Sequence, residues 1–122
     1  MSVRAIRGAT QLDVDESTHM HERVVELLSA VMEANGLTKD DVVSVLFTAT
    51  ADLHSAFPAV AARSLGWTDV PLICARELEI EGSLPRAVRL MAHVETDMSK
   101  ADVTHVYLHG ATVLRPDLTS AQ

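Results

Sequence analysis

The sequence predicts an α/β (α+β) domain built on one mixed sheet of about five strands with two helices packed on one face. Three observations carry this. Short β-branched and apolar runs recur along the chain, separated by turn signals. Between the first two runs, Met20, Val24, Leu27, Leu28 and Val31 recur at helical spacing. The resulting order, β-α-β-α-β-β-β, alternates strands with helices and then closes on strands alone. A sheet covered on one face leaves the other exposed. With apolar residues on both faces, burial by oligomerisation is the natural solution.

Val3 to Thr10 reads as the first strand, with Val3, Ala5, Arg7 and Ala9 on one face. Gly8 allows a bulge or leaves room for something to approach the backbone. Asp13 and Asp15 offer an N-cap and favourable charge for the helix that follows. Asn35-Gly36 supplies its left-handed stop. Val42 to Thr50 is the second strand, apolar on both faces as in a buried central strand. A loop runs from Ala51 to Phe57, and Pro58 opens a short helix to Leu65 that Gly66 ends. Val70 to Cys74 is the third strand, and Pro71 places it near an edge. Ala75 to Ile80 continues extended or irregular, and Glu81-Gly82-Ser83 turns the chain. Arg86 to Glu95 is the fourth strand, Asp97 to Asp102 a polar connection, and Thr104 to His109 the fifth strand. Gly110 separates it from a last extended segment ending at Arg115-Pro116-Asp117. The 122 residues are expected to form a single domain, 1–122, with a flexible tail from about residue 116.

Composition excludes several function classes. Hydrophobic residues make up 48% of the chain and mean hydropathy is +0.15, which fits a globular core. Charged residues interrupt every apolar run before membrane-spanning length, so no membrane partner is expected. Met1-Ser2-Val3-Arg4 leads straight into a strand, with no signal-peptide core. The single cysteine precludes an internal disulfide and fits a reducing, cytoplasmic location. A net charge of −7 with no basic cluster argues against nucleic acid. Aromatic content of 3% leaves no stacking surface. Of the ten basic residues eight are Arg, and Arg recognises carboxylates bidentately where Lys does not.

The chemistry concentrates on those arginines. Period-2 alternation puts Val88, Leu90, Ala92 and Val94 on one face of the fourth strand, and Arg89, Met91 and His93 on the other. A guanidinium stays charged, and in so apolar a strand it needs a carboxylate partner, from the protein or from a ligand. Arg7 sits in a similar strand, and Arg115 closes the run Thr112-Val113-Leu114-Arg115. Three arginines in apolar strand contexts suggest a pocket for an anionic small molecule. Glu77 and Glu79 share a side; a catalytic carboxylate pair or pairing with Arg76, Arg86 or Arg89 are both open, the latter being plainer. Tyr107 needs a partner for its hydroxyl. Phe57-Pro58-Ala59 sets an aromatic beside a short helix carrying Arg63. No metal site is expected, since the six histidines lack ligand spacing. Cys74 reads as a small buried hydrophobe before a nucleophile. No Gly-rich phosphate loop is present.

These residues fall into stretches with a family likeness. Arg4-Ala5-Ile6-Arg7-Gly8-Ala9-Thr10 comes first, then Thr48-Ala49-Thr50-Ala51-Asp52-Leu53-His54-Ser55-Ala56-Phe57-Pro58-Ala59. Val70-Pro71-Leu72, Arg89 in its strand, His105-Val106-Tyr107-Leu108 and Val113-Leu114-Arg115-Pro116-Asp117-Leu118 follow in order. The chain thereby resembles the small monofunctional chorismate mutases of the trimeric α/β class, not the all-helical class. The resemblance implies a homotrimer with a barrel-like centre and active sites at subunit interfaces. It implies cofactor-free Claisen rearrangement of chorismate to prephenate, on the way to phenylalanine and tyrosine. By position, Arg7 and Tyr107 would hold the enolpyruvyl carboxylate, and Arg89 would reach the ether oxygen and that same carboxylate. Glu77 and the Cys74 region would take the ring hydroxyl. Phe57, Ala59, Leu72, Ile73 and Leu114 would form the apolar wall, with Arg63 and Arg115 at the mouth near the ring carboxylate. Family members can carry Lys where this chain has Val60, which shifts that task toward Arg63 and Arg115. The alternative is a trimeric carboxylate-binding or enamine-deaminase-like protein of similar architecture.

Overall fold

The computed structural model describes residues 1–115, so the tail from residue 116 lies outside the described residues. Seven main elements run in the order β1 (Ser2–Gln11), α1 (Ser17–Asn35), β2 (Val42–Ala49), α2 (Ala59–Ser64), β3 (Leu72–Arg76), β4 (Ala87–Thr96) and β5 (Val106–Tyr107). Short 3-10 turns lie at Lys39–Asp41, Lys100–Asp102 and His109–Leu114. The strands form one sheet in the order β3-β2-β4-β1-β5. β4 runs antiparallel to both β1 and β2, while β3 and β5 add as parallel edges. Both expected helices are present, and the mixed sheet matches the expected fold class.

One face of the sheet is buried. Ile6, Val45, Phe47, Val88, Leu90 and Val94 point into it and meet the apolar stripe of α1. Ala59, Ala61 and Ala62 of α2 join the same core. Gly8 also faces α1: a β-carbon there would sit 3.2 Å from Leu90 and Val31 and 3.3 Å from Leu27. What approaches the backbone at Gly8 is therefore the protein's own helix.

Several local expectations are corrected. Asp13 and Asp15 do not cap α1, which starts from Glu16 with no acidic residue in its first turn. Asp15 instead accepts hydrogen bonds from the backbone N–H of His54 and Ser55, tying the loop before α2 to this turn. β3 is displaced by two residues from Val70–Cys74 and runs to Arg76; Pro71 lies outside the strand and its carbonyl accepts from Val45 N–H. It is an edge strand, as the proline implied. β4 begins at Ala87 because Arg86 takes a left-handed φ of 49°, with its N–H held by Asp52. β5 has only two residues instead of the expected six, because Asn35's side chain holds both the N–H and the carbonyl of Thr104. The segment from Gly110 to Arg115 is not extended. His109 turns the chain with a φ of 54° and bonds Glu26 at 2.7 Å, and a 3-10 helix follows to Leu114. Arg115 accordingly does not close a strand.

Gly8→Val forces an isopropyl group, three extra carbons, between β1 and α1. It is expected to lower unfolding free energy by about 1–3 kcal/mol, read as a reduced urea midpoint with unchanged slope.

Candidate active site

Among the described residues the other face of the sheet lacks an α-helical cover, and strand register arranges it in rows. Tyr107 lies beside Ala9, Ala9 beside Arg89, Arg89 beside Thr48, and Thr48 beside Ala75. In the next row Arg7 lies beside Met91, Met91 beside Leu46, and Leu46 beside Ile73. Because side chains alternate along each strand, every residue named in these rows projects to the same side. The small Ala9 separates Tyr107 from Arg89. A concavity of about 340 Å³ results, lined by Arg7, Ala9, Leu46, Thr48, Glu77, Arg89, Met91 and Tyr107 among others.

Glu77 reaches this face just beyond β3, its N–H donating to the Ala49 carbonyl at 3.0 Å. Its carboxylate receives the Arg89 fork, Nε at 2.6 Å on Oε2 and Nη2 at 2.5 Å on Oε1. The Thr48 hydroxyl donates to the same Oε2. The Glu77 and Arg89 side chains are 12% and 30% exposed, so solvent reaches the pair from one side. Arg89's hydrogen bonds hold the Glu77 carboxyl below the ordinary carboxylate range, with help from Thr48 and Arg89's charge and against the effect of burial. Among the described residues, no hydrogen bond or ion pair engages the Arg7 guanidinium. The site thus contains two guanidinium groups and one carboxylate, with apolar walls.

The structure brings four of the sequence-identified residues together in this concavity: Arg7, Glu77, Arg89 and Tyr107. Leu114 lines an adjoining concavity of about 500 Å³ that shares Glu77 and Arg89. Ile73 shares the open face and is 64% exposed. Leu72 and Cys74 pair with Val45 and Phe47, so their side chains turn to the helix face and pack on the core. Phe57 lines a separate concavity with His21 and Val60, near the start of α1. Ala59 is buried in α2, Arg63 is exposed on it, and Arg115 is exposed after the last 3-10 helix. Among the described residues, Phe57, Ala59 and Arg63 line neither of the two concavities at Arg89. Sequence reading missed Thr48. Its signal lay in β2's alternation, Leu46 and Thr48 against Val45 and Phe47, which a reading of the strand as apolar on both faces obscured. No group of three or more potential metal ligands occurs among the described residues.

Fold and site together define the class: an α/β protein with an arginine-bearing concavity, of a chemistry suited to a small anion, on an open sheet face. The chorismate mutase type I family model matches residues 3–118, and the chain belongs to that family. The chorismate mutase AroH of Thermus thermophilus is 49% identical over 121 residues, covering 98% of this chain and 99% of the relative. The chorismate mutase AroH of Bacillus subtilis is 42% identical over 120 residues, covering 98% and 94%. A solved chorismate mutase from Clostridium thermocellum superposes with a TM-score of 0.90 at 47% identity, covering 91% of this chain and 99% of that one. None of these similarities supports the deaminase-like alternative.

The depressed Glu77 ionisation has a definite pH consequence. A carboxylate whose folded pKa lies below its unfolded value adds stability above the unfolded value, near 4.5, and loses it as pH falls through the folded one. Glu77→Gln is expected to be about 1–2 kcal/mol less stable than the parent at pH 7, with the partial exposure of the pair keeping the difference modest. The difference should shrink as pH drops below 4.5 and vanish only once pH is below the depressed folded value. Urea midpoints of both proteins at pH 7 and in the acid range provide the check.

Proposed function

We propose that this chain catalyses the Claisen rearrangement of chorismate to prephenate as a homotrimer, with each site completed by a neighbouring subunit. The observation that carries the reading is Arg89, held by Glu77 on the open sheet face beside Arg7 and Tyr107. The reaction is unimolecular and requires no nucleophile or general base. Its demands are orientation and charge stabilisation.

Arg7 and Tyr107 bind the enolpyruvyl carboxylate, which folds the side chain over the ring and supplies the orientation effect. Arg89 addresses the ether oxygen. As the C–O bond breaks ahead of C–C bond formation, negative charge grows on that oxygen. A fixed guanidinium there stabilises the transition state more than the ground state. Glu77, anionic and anchored by Thr48, accepts a hydrogen bond from the ring hydroxyl. The backbone near Cys74 serves the same hydroxyl, since the Cys74 side chain belongs to the core. Ile73 and Leu114 supply apolar wall.

Two features of the chain support the trimer. Val3, Leu46 and Ile73 leave the open face apolar and exposed. Phe57 and Arg63 stand apart from the Arg89 concavity, where a neighbouring chain can receive them. In this reading Arg7, Arg89 and Tyr107 come from one chain, and Phe57, Ala59 and Arg63 from the next. Arg115 joins Arg63 near the ring carboxylate. The same reading puts the enzyme in the cytoplasm, in phenylalanine and tyrosine biosynthesis, in keeping with its lone cysteine. No helix among the described residues is long and apolar enough to cross a membrane.

Purified protein is expected to consume chorismate and release prephenate in the presence of a chelator. Absence of turnover in folded trimer, or activity lost to chelator and restored by a divalent ion, overturns the reading. Arg89→Ala should cost about 3–4 kcal/mol of transition-state stabilisation or more, measured as kcat/KM, and Arg89→Lys should recover little of it because a point charge cannot span two oxygens. Arg7→Ala and Arg63→Ala proteins, each impaired alone, should regain activity when unfolded and refolded together. With random mixing, about a quarter of the interfaces join two intact halves. No recovery in trimers shown to be mixed by mass spectrometry means that both residues act from one chain.

A further inference from the structure

His105 connects the two residues that grip the carboxylate. Its Nδ1 accepts the backbone N–H of Arg7 at 2.9 Å, across 98 positions of sequence. Parallel pairing of β1 with β5 covers only Gly8 with Val106 and Ala9 with Tyr107. The N–H of Leu108 donates to the Ala9 carbonyl at 2.9 Å, continuing that ladder at its far end. At the near end the ladder lacks a backbone acceptor, because the Thr104 carbonyl is taken by the Asn35 amide at 2.9 Å. Backbone N–H groups in sheets must be paired. The imidazole of His105 fills the vacant rung and ties β5 to β1 at the position that carries Arg7.

We infer that His105 is a positioning residue for the carboxylate grip, acting as a neutral acceptor that fixes the Arg7 backbone against the strand bearing Tyr107. The inference rests on the chorismate mutase reading for its kinetic consequence alone; the hydrogen bond itself can be tested without substrate. An accepting Nδ1 places the ring proton on Nε2. Protonating Nδ1 sets two donors face to face and breaks the rung.

The surroundings oppose that protonation. His105 borders a concavity of about 370 Å³ lined also by Arg4 from β1, His93 from β4 and Lys100 from the 3-10 turn after β4, with no carboxylate in its lining. Asp102 and Glu95 belong to the same turn and strand and are exposed, away from that lining. Asn35, the α1 residue that meets this segment, is neutral. Burial first, and then the charge of Arg7, hold the His105 ring below the ordinary histidine value of 6.5. The rung therefore persists at neutral pH and is lost only on acidification below that value. The carboxylates of the substrate are ionised just below that value, as is Glu77, which is itself held below the ordinary carboxylate range.

The test combines kinetics with histidine nitrogen NMR. In the parent protein His105 is expected to show the Nε2–H tautomer and to titrate below 6.5, with KM for chorismate rising along the same curve and kcat changing less. His105→Ala removes the acceptor and should raise KM about fivefold at neutral pH, the equivalent of one hydrogen bond, with no further rise in acid. His105→Asn offers an acceptor that cannot titrate and should restore a near-parental KM while abolishing the acid-side rise. Parental KM in folded His105→Ala, an acid-side rise that persists in His105→Asn, or an Nδ1–H tautomer in the parent would each overturn the inference. If the parent fails to turn over chorismate while NMR shows the Nε2–H tautomer, the functional reading fails and the rung stands.

Discussion

Arg89 must keep its charge on a central strand whose other face is apolar from Val88 to Val94, and the residues around it answer that requirement. An unpaired guanidinium is costly to desolvate, so a carboxylate has to meet it, and Glu77 does so through both oxygens. Thr48 then fixes the carboxylate from the neighbouring strand. Compared with apolar residues packed in the same space, a partly buried ion pair contributes little net stability. What this pair provides is aim. A bidentate contact sets the plane of the guanidinium as well as its position, and Arg89 faces the concavity already oriented. An orientation reached only after substrate arrived would consume part of the binding energy that the reaction needs.

Alternation along β1 lets adjacent small residues solve two different problems. Gly8 points to the helices, where its lack of a side chain admits Leu27 and Val31 of α1. Ala9 points the opposite way, where a larger residue would fill the gap between Tyr107 and Arg89. A shift of register by one residue would reverse both, burying Arg7 under α1 and exposing Ile6. Close packing of α1 on Gly8 therefore also secures the register that presents Arg7. Packing and site are coupled through the backbone of a single strand.

Much of this was legible in the sequence, for physical reasons that also mark where legibility stopped. The α1 stripe, its stop at Gly36, the edge position of β3 and the alternation that puts Arg89 opposite Val88 and Leu90 all follow from local periodicity and turn chemistry. Glu77 as the partner of Arg89 stood among three candidates, and only strand register could choose. Three of the failures share a cause. Asp15 resembles a helix cap but binds loop N–H groups 39 and 40 positions away. β5 was drawn too long because Asn35, far off in sequence, claims the backbone of Thr104. The His109–Leu114 segment has a strand-like composition, yet the left-handed His109 and its bond to Glu26 curl it into a 3-10 helix. In each case a long-range hydrogen bond overrode a local preference, and such bonds leave no trace in spacing.

In the trimer proposed above, a site left open on each chain has a chemical logic. A rearrangement that needs only compression and charge stabilisation works best when water is excluded around the bound substrate, because a preorganised charge acts more strongly in a dry site. The Arg89 concavity on its own cannot exclude water. It opens onto a sheet face where Val3 is 55% and Ile73 64% exposed, and its nearest candidate lids, Phe57 and Arg63, belong to a different surface of the same chain. Association of chains, as proposed, would cover the apolar face and close the pocket in one step. The hydrophobic drive for assembly and the desolvation that the chemistry requires then have a common origin, so a chain too small to enclose its substrate alone can enclose it with a neighbour.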